Sequence, residues 1–258
     1  MKRVRAKKHL GQHFLKDNQI AFQTVEAFNV EGKFKNALEV GPGMGVLTDL
    51  LIQRKDFKLY LVEIDGESVE YLKNKNEVPH ENIIEGDFLE LDFQLLFQEK
   101  PLGVIGNFPY NISTQILFKA LDHKEQIIEV VGMFQKEVAE RITAKAGSKI
   151  YGITSILLQA FYDTEYLFTV NEDVFDPPPK VKSAVIRLRR NNIKELACDE
   201  KKFKSIVKLA FNQRRKTMRN SLKSILSDEI KGNEIFGKRP EQLSVDDFIE
   251  LTNLIDSV

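Results

Sequence analysis

Residues 107–110, Asn-Phe-Pro-Tyr, set an amide, a fixed turn and a phenol side by side where the apolar run LGVIGN (102–107) stops. A core strand avoids the proline, and a plain turn has no need of the phenol. Upstream, Gly41, Gly43 and Gly45 lie in LEVGPGMGVLT (38–48), between a strand pattern and a helix pattern. Glycine lets backbone come close to a ligand where a Cβ would collide. Glu63 follows Gly43 by 20 residues, the separation at which an acid meets ribose hydroxyls in dinucleotide sites. Asp87 and Phe88 come after a third strand pattern and offer a hydrogen-bonding group and a ring to an adenine. Taken singly, Glu63 and Asp87 also read as ordinary strand-end polar residues. Their order along the chain is what favours a nucleoside-bearing ligand laid across the strand ends. No Gly-Lys-Ser/Thr follows the glycines, so the loop is not a Walker phosphate cradle.

Such residues need a sheet to hold them. Short apolar runs at 37–40, 58–63, 82–85, 102–106 and 128–134 alternate with helical spacing at 46–54, 66–76 and 112–121. That alternation predicts βαβ units and a mainly parallel sheet, with ligands at the carboxyl ends of its strands. Two later β-like stretches, 164–170 and 181–189, are expected as an antiparallel hairpin at one edge. DPPPK (176–180) between them is extended, because each proline disfavours helix in the residue before it. Beyond about residue 190 the strand signal stops, and 199–211, 217–227 and 241–255 carry helical patterns. The expected division is an α/β domain over 1–190 and a small all-helical domain over 191–258.

The 258 residues are 42% apolar and 29% charged, as in an ordinary soluble globular protein. No apolar run is long enough to span a bilayer, and the basic N-terminus leads into HLGQHFLKD rather than a secretory segment. Cys198 is alone and the four histidines are scattered, so neither a disulfide nor a metal site is expected. The protein reads as cytoplasmic. Its 38 basic and 38 acidic residues cancel, but not evenly along the chain. Residues 1–16 hold six basic residues and no acid, and residues 180–223 hold fifteen basic residues against three acids. Two basic blocks in a neutral chain point to a polyanion met at particular surfaces, or to solvated helix faces.

The spacing Glu39-x-Gly41-x-Gly43-x-Gly45 differs from the dinucleotide fingerprint and resembles motif I of S-adenosylmethionine-dependent methyltransferases. Asn107-x-Pro109-Tyr110 resembles motif IV of the amino-methyltransferases. The amine of adenine is a poor nucleophile because its lone pair is delocalised into the ring. Two acceptors on its N–H bonds draw the nitrogen towards tetrahedral geometry. The Asn107 side-chain oxygen and the Phe108 carbonyl, directed by Pro109, are suited to this, with Tyr110 as a stacking face.

Longer segments narrow the resemblance. KKHLGQHFLKD (7–17), GNFPYNIST (106–114), QKEVAERI (135–142), FDPPPKVKSAVIRL (175–188) and LAFNQRRKTMRNSLK (209–223) are similar to the KsgA family of rRNA adenine dimethyltransferases, in order over nearly the whole chain. The resemblance implies a Rossmann-like methyltransferase domain with a helical C-terminal domain that contacts the ribosome. It implies S-adenosylmethionine as cofactor. The substrate would be N6 of two adjacent adenines in the 3′-terminal hairpin loop of small-subunit rRNA, within a maturing subunit. The enzyme would be a monomer and a late assembly factor. Carried over by position, the cofactor site comprises His13, Leu15, Gly41, Gly43, Glu63, Asp87, Phe88 and Asn107. Phe175 would close over the target adenine opposite Tyr110. Arg187, Arg189, Arg214, Arg215, Lys216 and Arg219 would follow the RNA backbone. His13 stands where the family usually has Asn. The rivals are the erythromycin-resistance branch, which methylates large-subunit rRNA, a DNA adenine methyltransferase, and a mainly non-catalytic assembly factor.

Overall fold

In the computed structural model, which describes residues 4–98 and 100–257, the chain divides into two compact units. The first is residues 1–139 with 164–190, and the second is 140–163 with 191–258. The sequence alone predicts one cut, at 190. Residues 140–163 cluster instead with the helical unit, because α7 (Ile153–Gln159) packs on α8 (Glu200–Asn212).

The first unit is built on a seven-stranded sheet. Its strands are β2 (Asn36–Val40), β3 (Lys58–Glu63), β4 (Ile83–Glu85), β5 (Leu102–Asn107), β6 (Ile127–Gln135), β7 (Tyr162–Val170) and β9 (Ser183–Arg190). Their order is β4-β3-β2-β5-β6-β9-β7. The first five run parallel, and β9 joins β6 antiparallel. The two late β stretches do lie side by side at one edge. The order reverses between β2 and β5, the position at which open α/β sheets bind ligands. Central strands such as β5 are buried on both faces, which is why they read as unbroken apolar runs.

Helices cross the sheet between strands: α2 (Thr48–Leu51), α3 (Gly66–Lys75), α4 (Phe93–Phe97) and α5 (Ser113–Asp122). Asp65 caps α3 through Glu67 N–H, and Asn76 ends it in the left-handed conformation. The sequence pattern gives no sign of α1 (Asn18–Glu26), which Asp17 caps by accepting from Gln19 and Ile20 N–H. Nor does it announce a two-stranded sheet in which β1 (Phe14–Leu15) pairs antiparallel with β8 (Phe175–Asp176). That pairing holds the N-terminal segment on the first unit.

The chain leaves the first unit along α6 (Lys136–Thr143). The second unit packs α7, α8, α9 (Met218–Ser221) and α10 (Val245–Asp256) around Ile156, Phe203, Ile206, Met218 and Phe248. Ser244 and Asp247 form a reciprocal cap at the start of α10. The helix expected over 217–227 shrinks to α9 followed by turns. Among the described residues no helix is long and apolar enough to cross a membrane.

Candidate active site

Four strand ends and the N-terminal segment meet in one open cleft of the first unit. Gly41 and Gly43 line it after β2, Glu63 after β3, Asp87 and Phe88 after β4, and Asn107 to Ile112 after β5. Residues Leu10 to Phe14 form its remaining wall.

The glycine loop is fixed by steric need. Gly43 has φ of 56°, and a Cβ there would lie 2.7 Å from the Phe14 ring. The loop is thus shaped both by its own left-handed turn and by the N-terminal segment above it. Glu63 is nearly fully buried and accepts from Gly43 N–H through Oε2 and from Asp65 N–H through Oε1, both at 3.0 Å. Burial pushes its carboxyl up, and those two N–H groups oppose the shift. The bonds fix the carboxylate and leave lone pairs for a diol. Asp87 accepts from Leu89 N–H at 2.9 Å, while Phe88 is buried against Phe93. A fixed acid, a polar strand end and a ring, in that order, suit the ribose and adenine of S-adenosylmethionine.

The corner at 107–110 is equally specific. Asn107 Nδ2 donates to the His13 carbonyl at 2.8 Å, so the amide's other end, Oδ1, is its acceptor. Phe108 is anchored from below: its ring stands against Phe134, and a Cβ on Gly132 would come within 2.1 Å of it. Gly132→Ala is therefore expected to overpack this slot and cost about 1–3 kcal/mol of stability. Denaturant melting of the variant checks it, and an unchanged midpoint would mean the ring moves freely. Tyr110 is held by a 2.5 Å hydrogen bond between its hydroxyl and Ser183 Oγ. Burial pushes the phenol up, so it stays neutral.

His13 belongs to the same cluster. Its ring stacks on Tyr110 with centroids 5.4 Å apart, and Nδ1 lies 2.7 Å from the Pro177 carbonyl. A carbonyl only accepts, so Nδ1 carries a proton and donates it to Pro177. Two further residues of this region, Phe14 and Lys7, are not singled out by the sequence. Lys7 pairs with the buried carboxylate of Asp65 and with Glu67 at 3.6 Å, tying the N-terminal segment beside Glu63. Gly11 turns that segment through the left-handed conformation, at φ 66°.

Several expected site residues lie elsewhere. Phe175 is fully buried in the hydrophobic core on β8 and does not line the cleft. Its register partner Leu15 is also core; it borders only a small neighbouring cavity with Glu39 and Asn107. Arg187 donates to Glu165 at 2.6 Å and to the Ala27 carbonyl at 3.0 Å, and Arg189 pairs with Glu31 at 2.7 Å. Each of these two arginines is thus engaged by an acid distant in sequence. Arg214, Arg215 and Lys216 lie in the turn after α8 rather than on a helix. Arg214 donates to the Lys149 carbonyl, and Arg219 to the Lys231 carbonyl. Arg215 and Lys216 are exposed and make no ion pair among the described residues. Lys2 and Arg3 of the N-terminal basic block lie outside the described residues.

A model of the ribosomal RNA adenine dimethylase family matches residues 3–256. The chain belongs to that family. It is an S-adenosylmethionine-dependent rRNA adenine dimethylase. The chain is 59% identical over 256 residues to a ribosomal RNA small subunit methyltransferase A of Cytophaga hutchinsonii, covering 99% of each protein. It is 55% identical over 258 residues to the protein of that name in Flavobacterium johnsoniae, covering 100% of this chain and 98% of the relative. Among solved structures, a dimethyladenosine transferase from Plasmodium falciparum shares the fold. Its TM-score is 0.79 at 24% identity, over 95% of this chain and 98% of that one. The 23S rRNA methyltransferase ErmE matches with a TM-score of 0.70 and 26% identity, over 93% of this chain and 99% of that one. The Rossmann-like methyltransferase fold expected from the sequence is the fold observed.

Proposed function

We propose that this chain methylates N6 of two adjacent adenines in the 3′-terminal hairpin loop of small-subunit rRNA, giving N6,N6-dimethyladenine. The curated relatives named for the small subunit share more than half of its residues, against 26% identity to ErmE, which favours the small subunit over the erythromycin-resistance reading. The observation that carries the chemistry is the Asn107 amide, whose nitrogen is taken by the His13 carbonyl so that its oxygen is the acceptor at the head of the cleft.

Bound in the cleft, S-adenosylmethionine would supply an electrophilic methyl on a sulfonium, whose S–C bond breaks as the N–C bond forms so that the remainder leaves as a neutral thioether. Glu63 accepts from the ribose hydroxyls, Asp87 and Phe88 hold the adenine, and Gly41 and Gly43 let the backbone come close. His13 borders the same site. Asn107 Oδ1 and the Phe108 carbonyl accept from the two N–H bonds of the target amine and turn its lone pair towards the methyl. Pro109 fixes the direction of that carbonyl. Tyr110 stacks on the extruded base, a contact worth about 1–3 kcal/mol, which offsets the few kcal/mol lost in unstacking it. The alkylated nitrogen gives its proton to water, so no strong base is asked of the chain. Alignment of this kind supplies about 7–11 kcal/mol of a barrier.

The substrate is a maturing small subunit, and the enzyme works as a monomer in the cytoplasm, with a second role as a late assembly factor. The test is incubation of labelled S-adenosylmethionine with undermethylated small subunits, followed by mapping of the modified nucleotides. Label in any other rRNA segment would overturn the assignment.

Arg215 and Lys216, exposed in the second unit and without ion pairs among the described residues, are the phosphate contacts; Arg187 and Arg189 already pair with Glu165 and Glu31. Replacing Arg215 and Lys216 with Ala should flatten the slope of log K against log salt for subunit binding by about 1.4–1.8, or 0.7–0.9 per lost phosphate contact. Binding titrations at several salt concentrations check this, and an unaltered slope would mean that both charges face solvent.

A further inference from the structure

A second depression adjoins the reaction cleft and is not used by the mechanism above. Its volume is about 520 Å³, and it shares Gly11, Gln12, His13 and Tyr110 with the first cleft. Its outer wall is the extended segment Pro177 to Val181, with Lys8 opposite. We propose that this groove is the subsite for the nucleotide next to the target adenine, a proposal that rests on the RNA reading above.

Three observations favour a nucleotide. First, the groove adjoins the reaction cleft across His13 and Tyr110, which line both, so neighbouring nucleotides of one chain would reach the two cavities side by side. Second, the wall is apolar where a base would lie: Pro177, Pro178 and Val181 are exposed, and Val181 is 47% accessible. Third, its charged residues, Lys8 and Lys180, are both basic and both exposed, as a phosphate on either side of that base requires. The Pro177 carbonyl is already taken by His13 Nδ1, which locks the imidazole as the partition between the two cavities. An enzyme that modifies two adjacent adenines must hold one while it alkylates the other. This groove gives the waiting base a place to stack, and an exchange past the His13–Tyr110 pair would bring the second base to the methyl.

The test pairs a protein change with a substrate change. Val181→Asp alters only the outer wall. It is assayed on undermethylated small subunits and on subunits reconstituted with an abasic ribose in place of one of the two adenines, leaving the other as target. On the normal subunit kcat/KM should fall about tenfold, the size of one lost base stack. On the abasic subunit the variant should match the unaltered protein, because no base is there to lose. Equal losses on both substrates would reveal a general charge effect and overturn the subsite. No loss on either would overturn it as well, leaving the groove to a peptide, a second copy of the chain or no ligand. Calorimetric affinity for S-adenosylmethionine shows that the variant is folded, and Lys180→Glu gives an independent change on the same wall. If the unaltered protein failed to methylate small subunits, the functional reading itself would fall, a result distinct from any difference between variants.

Discussion

Asn107→Ala is expected to lower kcat by about 10³-fold or more while leaving small-subunit binding within a few-fold. Removing one fixed group that acts on developing charge costs about 10²–10³ in enzymes of known geometry. Here the lost oxygen also orients the nucleophile, so alignment suffers too. The substitution removes a second contact, the Nδ2 bond to the His13 carbonyl. That bond contributes about 0.5–1.5 kcal/mol, so loosening the N-terminal segment lowers donor affinity by about tenfold at most. The two effects separate experimentally, since kcat at saturating donor reports the first and calorimetry of the donor reports the second. Asn107→Asp keeps an acceptor oxygen but sets a carboxylate against the His13 carbonyl, and should be impaired in both measurements. Full activity in the Ala variant would remove the two-acceptor geometry from the mechanism.

Much of this site is readable in the sequence because strand ends are local. The run LGVIGN must stop at Asn107, and an α/β alternation places that stop on the same sheet edge as Gly41, Glu63 and Asp87. What cannot be read depends on partners distant in sequence. Arg187 and Arg189 look like a basic stripe until Glu165 and Glu31 are found beside them. Nothing in the residue order near 187 carries that information. The N-terminal wall of the cleft is hidden for a similar reason. Its strand is two residues long, too short for any period, and its partner β8 lies about 160 residues away. Phe175 matches a family motif that implies a place over the base, but a motif fixes residue type and not rotamer. Here the ring fills the core that Leu15 also fills, so covering a base would require it to leave that core. The grouping of residues 140–163 with the helical unit has no composition shift to announce it.

The motif I acid carries the other large expectation, this one in stability. Glu39 is about 1% exposed, accepts from Thr48 Oγ1 at 2.6 Å and borders a small cavity that also touches Asn107. Burial pushes its carboxyl up to about 8. The Thr48 bond opposes this, Asp49 and Glu63 add to it, and Lys75 offsets part. In the unfolded chain the same group titrates near 4.5. Below that pH both states hold the proton and the group costs folding nothing. As pH rises from 4.5 towards 8 the unfolded chain ionises and the folded one does not, so stability is lost by up to about 1.4 kcal/mol per pH unit. Above about 8 the folded carboxyl ionises too, and the loss levels off. Glu39→Gln keeps the shape and an oxygen for Thr48 but cannot titrate, so its stability should lack this component. The difference in unfolding free energy between the two proteins should therefore swing in favour of Gln by several kcal/mol between pH 5 and pH 8. Denaturant melts of both proteins across that range measure it. A constant difference would mean that Glu39 is already ionised in the folded protein, held by Lys75 or by water in the cavity beside it.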